Sequence, residues 1–261
     1  MADIFSKNLR LDNFWRVENC RNLIAPQRHV GVAGRTCAVI CNKNKNGVVK
    51  PRFFAGINNS ILVKQGNKLR TISVAKNILA EADINEEFPR NFAIYDLNQF
   101  LNGLSLHQDP ELDFTNDSHI VIREGKRRVK YFFADPNVII SPPDKEIQLP
   151  SEDVCFQLEH ASLEKLLKAA AVYQLPDLSA IGEAGVIRLV VRDKKNDTSN
   201  EYSIVVGETD REFTFNFKVE NIKIIPGAYD VVVSQKLLSQ FVNAKYNLQY
   251  YVALEPDSTF V

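Results

Sequence analysis

Histidine and cysteine are the residue types in this chain that most often carry catalysis or metal binding. His107, His119 and His160 stand apart, and none has an acid or a nucleophile at the spacing of a known catalytic motif. The chain also lacks a G-x-S-x-G elbow, a phosphate-binding P-loop and an H-E-x-x-H motif. The sequence therefore predicts a protein that is not an enzyme, with a site assembled only in three dimensions as the alternative.

A zinc site is the second chemistry to weigh. Cys20, His29, Cys37 and Cys41 supply thiolate and imidazole groups, which are the usual tetrahedral zinc ligands. Their spacing contains no C-x-x-C knuckle, and Cys37 and Cys41 are equally compatible with small buried apolar residues. The sequence therefore predicts no metal site and no cofactor.

Basic side chains offer a third chemistry, the binding of phosphate. Lys plus Arg and Asp plus Glu number 32 each, so contact with nucleic acid requires positive charge concentrated on one surface. Lys165 and Lys168 share the polar face of a predicted helix, and the predicted hairpin 123–130, with its Glu-Gly-Lys turn, is the densest basic cluster. Without interleaved aromatic residues, such lysines contact phosphates and read no bases. The alternatives are solvated surface lysines and, for residues 123–130, protection of a sheet edge.

Length and composition favour an ordinary globular protein. The 261 residues suffice for two modest domains, and the fractions of 45% hydrophobic and 25% charged residues are typical. No apolar run approaches the roughly 20 residues of a membrane span, and the N-terminus lacks the apolar core of a signal peptide. We therefore expect a cytosolic protein without a membrane partner.

Residues 91–106 predict the local unit that would place polar groups on a helix. NFAIYDLNQFLNGLSL indicates a strand followed by a helix that Asp96 caps. Apolar residues at positions i, i+3, i+4 and i+7 gather on one face of that helix. The opposite face is polar but uncharged, and it carries Asn98, Gln99 and Asn102.

The remaining chain predicts an antiparallel framework. From residue 53 onward, short strands recur about every ten residues between turn signals, with single helices inserted. NVIIS at 137–141 is among these predicted strands, and the region 134–153 holds four of the eleven prolines, as an extended connector would. We divide the chain into four parts. Residues 1–52 are an N-terminal extension without a predicted fold, and residues 53–140 are domain one. Residues 141–152 are the connector, and residues 153–261 are domain two.

Domain two is expected to repeat the strand-to-helix unit. Ser162 is the predicted cap of a helix that ends before Pro176. Near the C-terminus, AYDVVVSQKLLSQFVNA at 228–244 predicts a strand, a cap at Ser234 and a second amphipathic helix. The polar face of that helix would carry Lys236, Gln240 and Asn243.

Several separate stretches resemble one known family. FAIYDLNQFLNGLSL (92–106), FFADPNVIISPPDKEIQLP (132–150), ASLEKLLKAA (161–170), TFNFKVENIKIIPGAYDVVV (214–233) and YVALEPDSTF (251–260) are similar to sliding clamps of T-even-type bacteriophages and their cyanophage relatives. The resemblance runs in order over residues 53–261. It implies an α+β DNA clamp fold, in which two similar domains of antiparallel sheets with short helices are built from βαβββ repeats.

The resemblance also implies a function. Family members form a homotrimeric ring whose helices line a central hole around double-stranded DNA. An ATP-driven clamp loader opens the ring, and the ring tethers the phage DNA polymerase for processive replication. In relatives the clamp also acts with the transcription machinery as a coactivator of late transcription. The expected location is the cytoplasm of the infected bacterial host.

Two sets of candidate residues follow from the resemblance. The DNA-facing set comprises Lys165, Lys168, Lys236, Lys245, Gln240, Asn243, Asn98 and Asn102. YVALEP is also similar to the terminal strand of the eukaryotic clamp, proliferating cell nuclear antigen, which borders a partner-peptide pocket. The pocket set comprises Ile139, Ile140, Ile147, Leu149, Tyr251, Leu254 and Pro256.

The N-terminus departs from the family pattern. Family members begin with a helix that runs directly into the segment resembling FFAGIN, but here VVKPR precedes it and Pro51 opposes a helix at that point. One helix of the hole is therefore lost, displaced into residues 9–24 or distorted. The alternative function is a monomeric clamp-fold interaction module that does not close on DNA.

Overall fold

The computed structural model describes residues 54–261. The extension 1–52, with its candidate zinc ligands and the alternatives for the first helix, lies outside the described residues. Residues 54–57 are helical, and the Asn58 amide donates to the Phe54 carbonyl at 2.9 Å. The strands and longer helices that follow are β1 Ile61–Val63, β2 Gly66–Ile72, β3 Ile78–Phe88, β4 Phe92–Ile94, α1 Leu97–Ser105, β5 Glu111–Asp113, β6 His119–Glu124, β7 Arg127–Phe132, β8 Val154–Leu158, α2 His160–Tyr173, β9 Asp177–Glu183, β10 Val186–Arg192, β11 Tyr202–Glu208, β12 Phe213–Lys218, β13 Tyr229–Ser234, β14 Leu238–Asn243, β15 Leu248–Ala253 and β16 Thr259–Phe260.

The strands form four sheets in which every pairing is antiparallel, so the predicted antiparallel framework is confirmed. The strand orders are β1-β4, β5-β6-β7, β11-β10-β9-β12-β16 and β2-β3-β15-β14-β13-β8. The six-stranded sheet combines strands from both predicted domains, because β3 pairs with β15 at Glu81 and Gln249. Residues 141–153 contain neither helix nor strand.

The six-stranded sheet has two buried faces. One face packs into the hydrophobic core through a row that includes Ala80, Tyr250 and Phe241. On the opposite face, Leu79 and Tyr251 are also buried, although both lie outside that core cluster. Connector residues that bond to the side chains of this face lie over it, and we call it the outer face.

Helix α1 closes the core of the first half. Its apolar residues are buried as predicted, and Asp96 caps it by accepting a hydrogen bond from the Gln99 amide at 2.8 Å. Phe100 contacts Tyr131 of β7, with ring centroids 5.1 Å apart. The strand predicted for NVIIS at 137–141 is wrong, because Pro136–Val138 forms a 3-10 turn that Asp135 caps. Proline at the first position suits a helical turn and cannot donate to a ladder.

Helix α2 packs against β10 and β11 in the second half. It begins at His160 with Glu159 at the N-cap, two residues before the helix predicted from Ser162. The chain enters through the extended backbone of Glu159, whose carbonyl accepts from the Leu163 amide at 3.0 Å. A helix can therefore begin without a side-chain cap when its apolar face is well packed.

The predicted second strand-to-helix unit is wrong. Residues 229–243 form the hairpin β13–β14, in which Ser234 pairs with Leu238 and the intervening turn holds Leu237 at a φ of 63°. Ser234 Oγ accepts from the Lys236 amide at 3.1 Å, so the hydroxyl stabilises a turn and not a helix. Pairing of β14 with β13 and β15 outweighs the local helical pattern.

Within residues 54–261 no helix is both long and apolar enough to span a membrane.

Candidate nucleic-acid and partner interfaces

Helix α1 presents the uncharged polar face that the sequence predicts. Asn98, Gln99 and Asn102 are all exposed, and no residue of the helix carries a charge. Asn98 Nδ2 donates to Asn59 Oδ1 at 2.8 Å, which fixes one of these amides in place. The face therefore offers amide hydrogen bonds rather than electrostatic attraction.

Helix α2 carries the exposed positive charge. Leu163, Leu166 and Ala170 are buried, whereas Lys165 and Lys168 are exposed one turn apart. Neither lysine forms an ion pair with any residue of the part of the chain that the structure describes. Both ammonium groups are therefore available to an external anion such as phosphate.

Two polar members of the predicted DNA-facing set, Gln240 and Asn243, lie in the interior of the protein. Gln240 and Asn243 are buried, so their prediction as DNA contacts is wrong. Gln240 bonds to the side chains of Gln249 and Tyr251, and Asn243 Oδ1 caps the 3-10 turn Ala244–Tyr246. The error follows from the helix predicted there, since a strand turns alternate residues to opposite faces.

The two remaining lysines of that set are exposed at turns. Lys236 lies in the β13–β14 turn, and Lys245 lies in the 3-10 turn before β15. Lys245 also lines a cavity of about 570 Å³, which the β8–α2 junction and the loop at Pro226 enclose with it. Neither lysine shares a helix face with Lys165, because both lie outside α2.

The predicted basic hairpin is present. β6 and β7 are joined by a turn in which Gly125 has a φ of 56°, and β7 exposes Arg127, Arg128 and Lys130. Phe132, which ends the strand, is 62% exposed. The strand pairs only with β6 among residues 54–261, so its other edge is open.

Strand β11 is one of the two edge strands of the five-stranded sheet within the described residues, and β16 is the other. Val205 at the centre of β11 is 63% exposed, and Val172 and Tyr173 at the end of α2 are exposed as well. Glu201 and Glu208 stand at the two ends of the strand. This edge is therefore apolar with acidic ends, whereas the β7 edge is basic.

His107 and His119 are the two buried histidines of residues 54–261. His107 Nδ1 lies 3.3 Å from the Gly103 carbonyl, and His119 Nδ1 lies 3.0 Å from Ser118 Oγ. Burial and the charge of Lys130 lower the pKa of His119. Each ring thus bonds to a residue near it in sequence.

The connector brings part of the predicted pocket set together. The Tyr251 hydroxyl donates to the Ile147 carbonyl at 2.9 Å. Burial, followed by the charges of Glu81 and Glu146, raises the pKa of Tyr251 to about 12, so the hydroxyl remains protonated and donates at neutral pH. Ile140, Ile147 and Leu149 keep exposed surface, in contrast to the buried Ile139.

The segment after β15 carries two further members of the predicted pocket set, Leu254 and Pro256. Leu254 is buried, and its amide donates to the Leu237 carbonyl at 3.0 Å. Pro256 is exposed in a segment held by the adjacent Glu255 amide, which donates to the Asn216 carbonyl at 2.7 Å. Ile140, Ile147, Leu149 and Pro256 therefore supply the accessible surface of the set, while Ile139, Tyr251 and Leu254 are buried.

Comparison with known proteins assigns a family. The family model described as DNA polymerase processivity factor matches residues 42–141, and the one described as gp45 sliding clamp, C terminal, matches residues 155–256. The sliding clamp of Vibrio phage KVP40 is 32% identical over 219 residues, which cover 81% of this chain and 98% of that protein. This chain belongs to the phage sliding-clamp family.

Further relatives agree with that assignment. The sliding clamp of Enterobacteria phage T4 is 33% identical over 215 residues, covering 79% of this chain and 93% of the T4 protein. A solved structure, the A. fulgidus PCNA with the C-terminal region of FEN-1 bound, superposes with a TM-score of 0.59 at 14% identity, over 80% of this chain and 95% of that one. The predicted DNA clamp fold is thus confirmed.

Asn58 and Arg70, which contact the connector of this clamp or the residue before it, are among the residues that the sequence did not predict. Asn58 Nδ2 donates to the Ile140 carbonyl at 3.2 Å, and Arg70 Nη1 donates to the Pro143 carbonyl at 2.7 Å. Each partner lies more than seventy residues away along the chain. No local pattern signals such contacts, because the acceptors are backbone carbonyls, which every residue carries.

Proposed function

We propose that this phage sliding clamp is a ring that encircles double-stranded DNA and tethers the replicative DNA polymerase for processive synthesis. One observation carries the proposal: a chain that aligns with 98% of a phage clamp presents exposed, unpaired lysines on α2 within the described residues. The function is that of a processivity factor without a catalytic step of its own.

Lys165 and Lys168 are the proposed phosphate contacts. In a trimer these two lysines become six around the ring, and each gives only a weak, salt-dependent attraction. Lysine on a flexible stem contacts phosphate without reading bases, so DNA is held loosely and can slide. Lys236 and Lys245 are secondary candidates, and Asn98 and Asn102 supply uncharged contacts.

Closure into a homotrimer is supported by two of the edge strands, β7 and β11. β7 offers Arg127, Arg128 and Lys130, and β11 offers exposed Val205 between Glu201 and Glu208. We propose that β7 of one subunit pairs with β11 of the next, so that opposite charges meet and both edges are covered. Pairing of two different surfaces head to tail closes into a ring when the rotation allows it.

The partner-peptide pocket is proposed to lie between the connector and the segment after β15. Ile140, Ile147, Leu149 and Pro256 would contact an extended peptide from the polymerase over the buried support of Ile139, Tyr251 and Leu254. The clamp loader and the late-transcription machinery are proposed as further partners, with the infected host's cytoplasm as the location.

Solution mass is the first test. Sedimentation at micromolar concentration is expected to give three times the chain mass of 29.6 kDa. Val205→Lys should dissociate the trimer by placing an ammonium group opposite the basic strand β7, whereas Val74→Lys should not. Val74 is the matched control because it is 68% exposed in the turn between β2 and β3. A monomeric wild-type protein would instead favour the interaction module that does not close on DNA.

Processivity is the second test. Lys165→Glu combined with Lys168→Glu should abolish loader-dependent processive synthesis while leaving the trimer intact, because the change reverses charge without touching the core. Lys195→Glu, in the exposed loop between β10 and β11, is the matched control. Unchanged processivity in the double variant would remove these lysines from the DNA contact.

A further inference from the structure

Four contacts fasten the connector and the residue before it, Ile140, to the first half of the chain and to β15. Besides the contacts of Ile140 with Asn58, Pro143 with Arg70 and Ile147 with Tyr251, Asp144 forms an ion pair with Lys64. Three of the four acceptors are backbone carbonyls, so the anchors specify the path of the connector without using its apolar side chains. Those side chains remain available to line a pocket.

Two of the anchors are the ends of one continuous hydrogen-bond chain. From the Pro143 carbonyl it runs through Arg70 to Glu81, where Arg70 Nε donates to Glu81 Oε1 at 2.6 Å. Gln249 Nε2 donates to Glu81 Oε2 at 2.8 Å, and Gln240 Nε2 donates to Gln249 Oε1 at 2.9 Å. We call the five side chains joined by these hydrogen bonds the outer-face network: Arg70, Glu81, Gln249, Gln240 and Tyr251.

The series of hydrogen bonds ends at a second carbonyl of the connector, that of Ile147. Gln240 Nε2 donates to the Tyr251 hydroxyl at 3.3 Å, and that hydroxyl donates to the Ile147 carbonyl at 2.9 Å. The network therefore crosses four strands, β2, β3, β15 and β14, including the β3–β15 junction between the two predicted domains. Its members are largely buried, and removing one partner from a buried polar group is costly.

Glu81 sets the direction of the bonds between the side chains of the network. Its carboxylate only accepts, so Arg70 and Gln249 must both donate to it. With Gln249 Nε2 committed to Glu81, Gln249 Oε1 accepts from Gln240, and Gln240 Nε2 faces the Tyr251 hydroxyl. A hydroxyl that accepts from Gln240 is free to donate to the Ile147 carbonyl.

We propose that the outer-face network is a positioning device that holds the connector in register over the sheet and so sets the affinity of the partner-peptide pocket. The proposal rests on the pocket suggested above, and its residues are positioning residues beneath that pocket. Their effect passes through the connector carbonyls, so it is expected with any peptide partner that uses the pocket.

Glu81→Gln tests the direction of the network with little change in shape. A glutamine there must donate from one side, and an amide facing Gln249 requires Gln249 and then Gln240 to turn over. The Gln240 oxygen would then draw the Tyr251 proton away from the Ile147 carbonyl. Tyr251→Phe removes the same final bond directly, and Tyr131→Phe is the matched control, since that hydroxyl also donates to a backbone carbonyl, of Asp96, at 3.2 Å.

The first readout needs no peptide. Lys145 is exposed in the connector between the Pro143 and Ile147 anchors, so trypsin cleavage after it reports local release of this segment. With the intact full-length clamp, Tyr251→Phe should raise the cleavage rate about fivefold, as expected for one hydrogen bond. Glu81→Gln should raise it at least as much, and Tyr131→Phe should leave it unchanged.

The second readout is binding of a synthetic peptide with the C-terminal sequence of the DNA polymerase encoded by the same genome. Calorimetry should show Kd raised about three- to fivefold by Tyr251→Phe and Glu81→Gln, with Tyr131→Phe equal to wild type. Cleavage after Lys145 that is unchanged in both network variants would overturn the proposal. If the wild type binds the peptide, an unchanged Kd in both network variants would also overturn the proposal.

Failure of the pocket itself is a separate result. If the wild-type clamp binds no peptide, the pocket assigned under the proposed function is wrong, together with the control of affinity proposed for the network. The cleavage rates then decide whether the network holds the connector.

Discussion

Lys218 and Asp177 form an ion pair whose two members are buried very unequally. Lys218 Nζ lies 2.5 Å from Asp177 Oδ1, and the side chains are 26% and 1% exposed, respectively. The other Asp177 oxygen accepts from the Lys194 amide at 3.2 Å. Besides the hydrogen bond to Asp177, the charges of Glu255 and Asp257, in the segment that leads from β15 to β16, also favour the charged form of Lys218 and raise its pKa.

The unequal burial predicts unequal costs for removing either partner. Lys218→Met leaves a buried carboxylate with one long amide bond, and breaking a buried pair in this way costs about 3 kcal/mol. Asp177→Asn leaves an ammonium group that reaches water or the nearby acids, so we expect a loss of about 1 kcal/mol. The double variant should recover much of the Lys218→Met loss, because the unpaired carboxylate is gone.

Urea unfolding at one fixed protein concentration measures these differences, since association changes apparent stability. Hydrogen bonding to Asp177 raises the pKa of Lys218 above its ordinary value. A raised lysine pKa stabilises the folded state at every pH below the unfolded value of about 10.4 and loses that effect as pH rises through the folded value. The gap between wild type and Lys218→Met should therefore be constant near neutrality and shrink above about pH 10. A Lys218→Met loss no larger than that of Asp177→Asn would refute the reasoning.

Three further substitutions test local features. Asp96→Ala removes the cap of α1 and should lower the free energy of unfolding by about 1 kcal/mol; an unchanged urea midpoint would contradict the cap. Gly182→Ala would place a Cβ 2.3 Å from the Phe213 ring and should cost about 2 kcal/mol or more by the same measurement, whereas wild-type stability would mean that the ring yields freely. Ile140→Asp should weaken polymerase-peptide binding without lowering thermal stability, whereas Leu254→Asp should lower both because Leu254 is buried; equal thermal losses would contradict the assignment of Ile140 to the accessible surface.

Local chemistry was enough to predict the features that depend on neighbouring residues. Asp96 before four apolar residues at helical spacing correctly predicted α1 and its cap. The turn at Gly125 between two alternating segments correctly predicted the β6–β7 hairpin. In both cases the signal and the structure it specifies lie within a few residues of each other.

Features that depend on distant partners were not predictable in the same way. Residues 235–244 satisfy a helical pattern, but β13 and β15 on either side supply ladder partners, so the segment becomes β14. The sequence did not predict strand β9, whose identity depends on pairing with β10 and β12. Gln240 was assigned to DNA for the same reason, since its face depended on the wrong periodicity.

The β3–β15 junction has a consequence for synthesis on the ribosome. Ala82 pairs with Leu248, so the β2–β3 hairpin emerges long before the strand that covers its edge. At typical rates of about 5–20 residues per second, that edge waits on the order of ten seconds or more for its partner. An uncovered edge is a template for pairing with another chain. We therefore expect nascent chains on neighbouring ribosomes to be most vulnerable to mispairing at this hairpin until β15 emerges and pairs with β3.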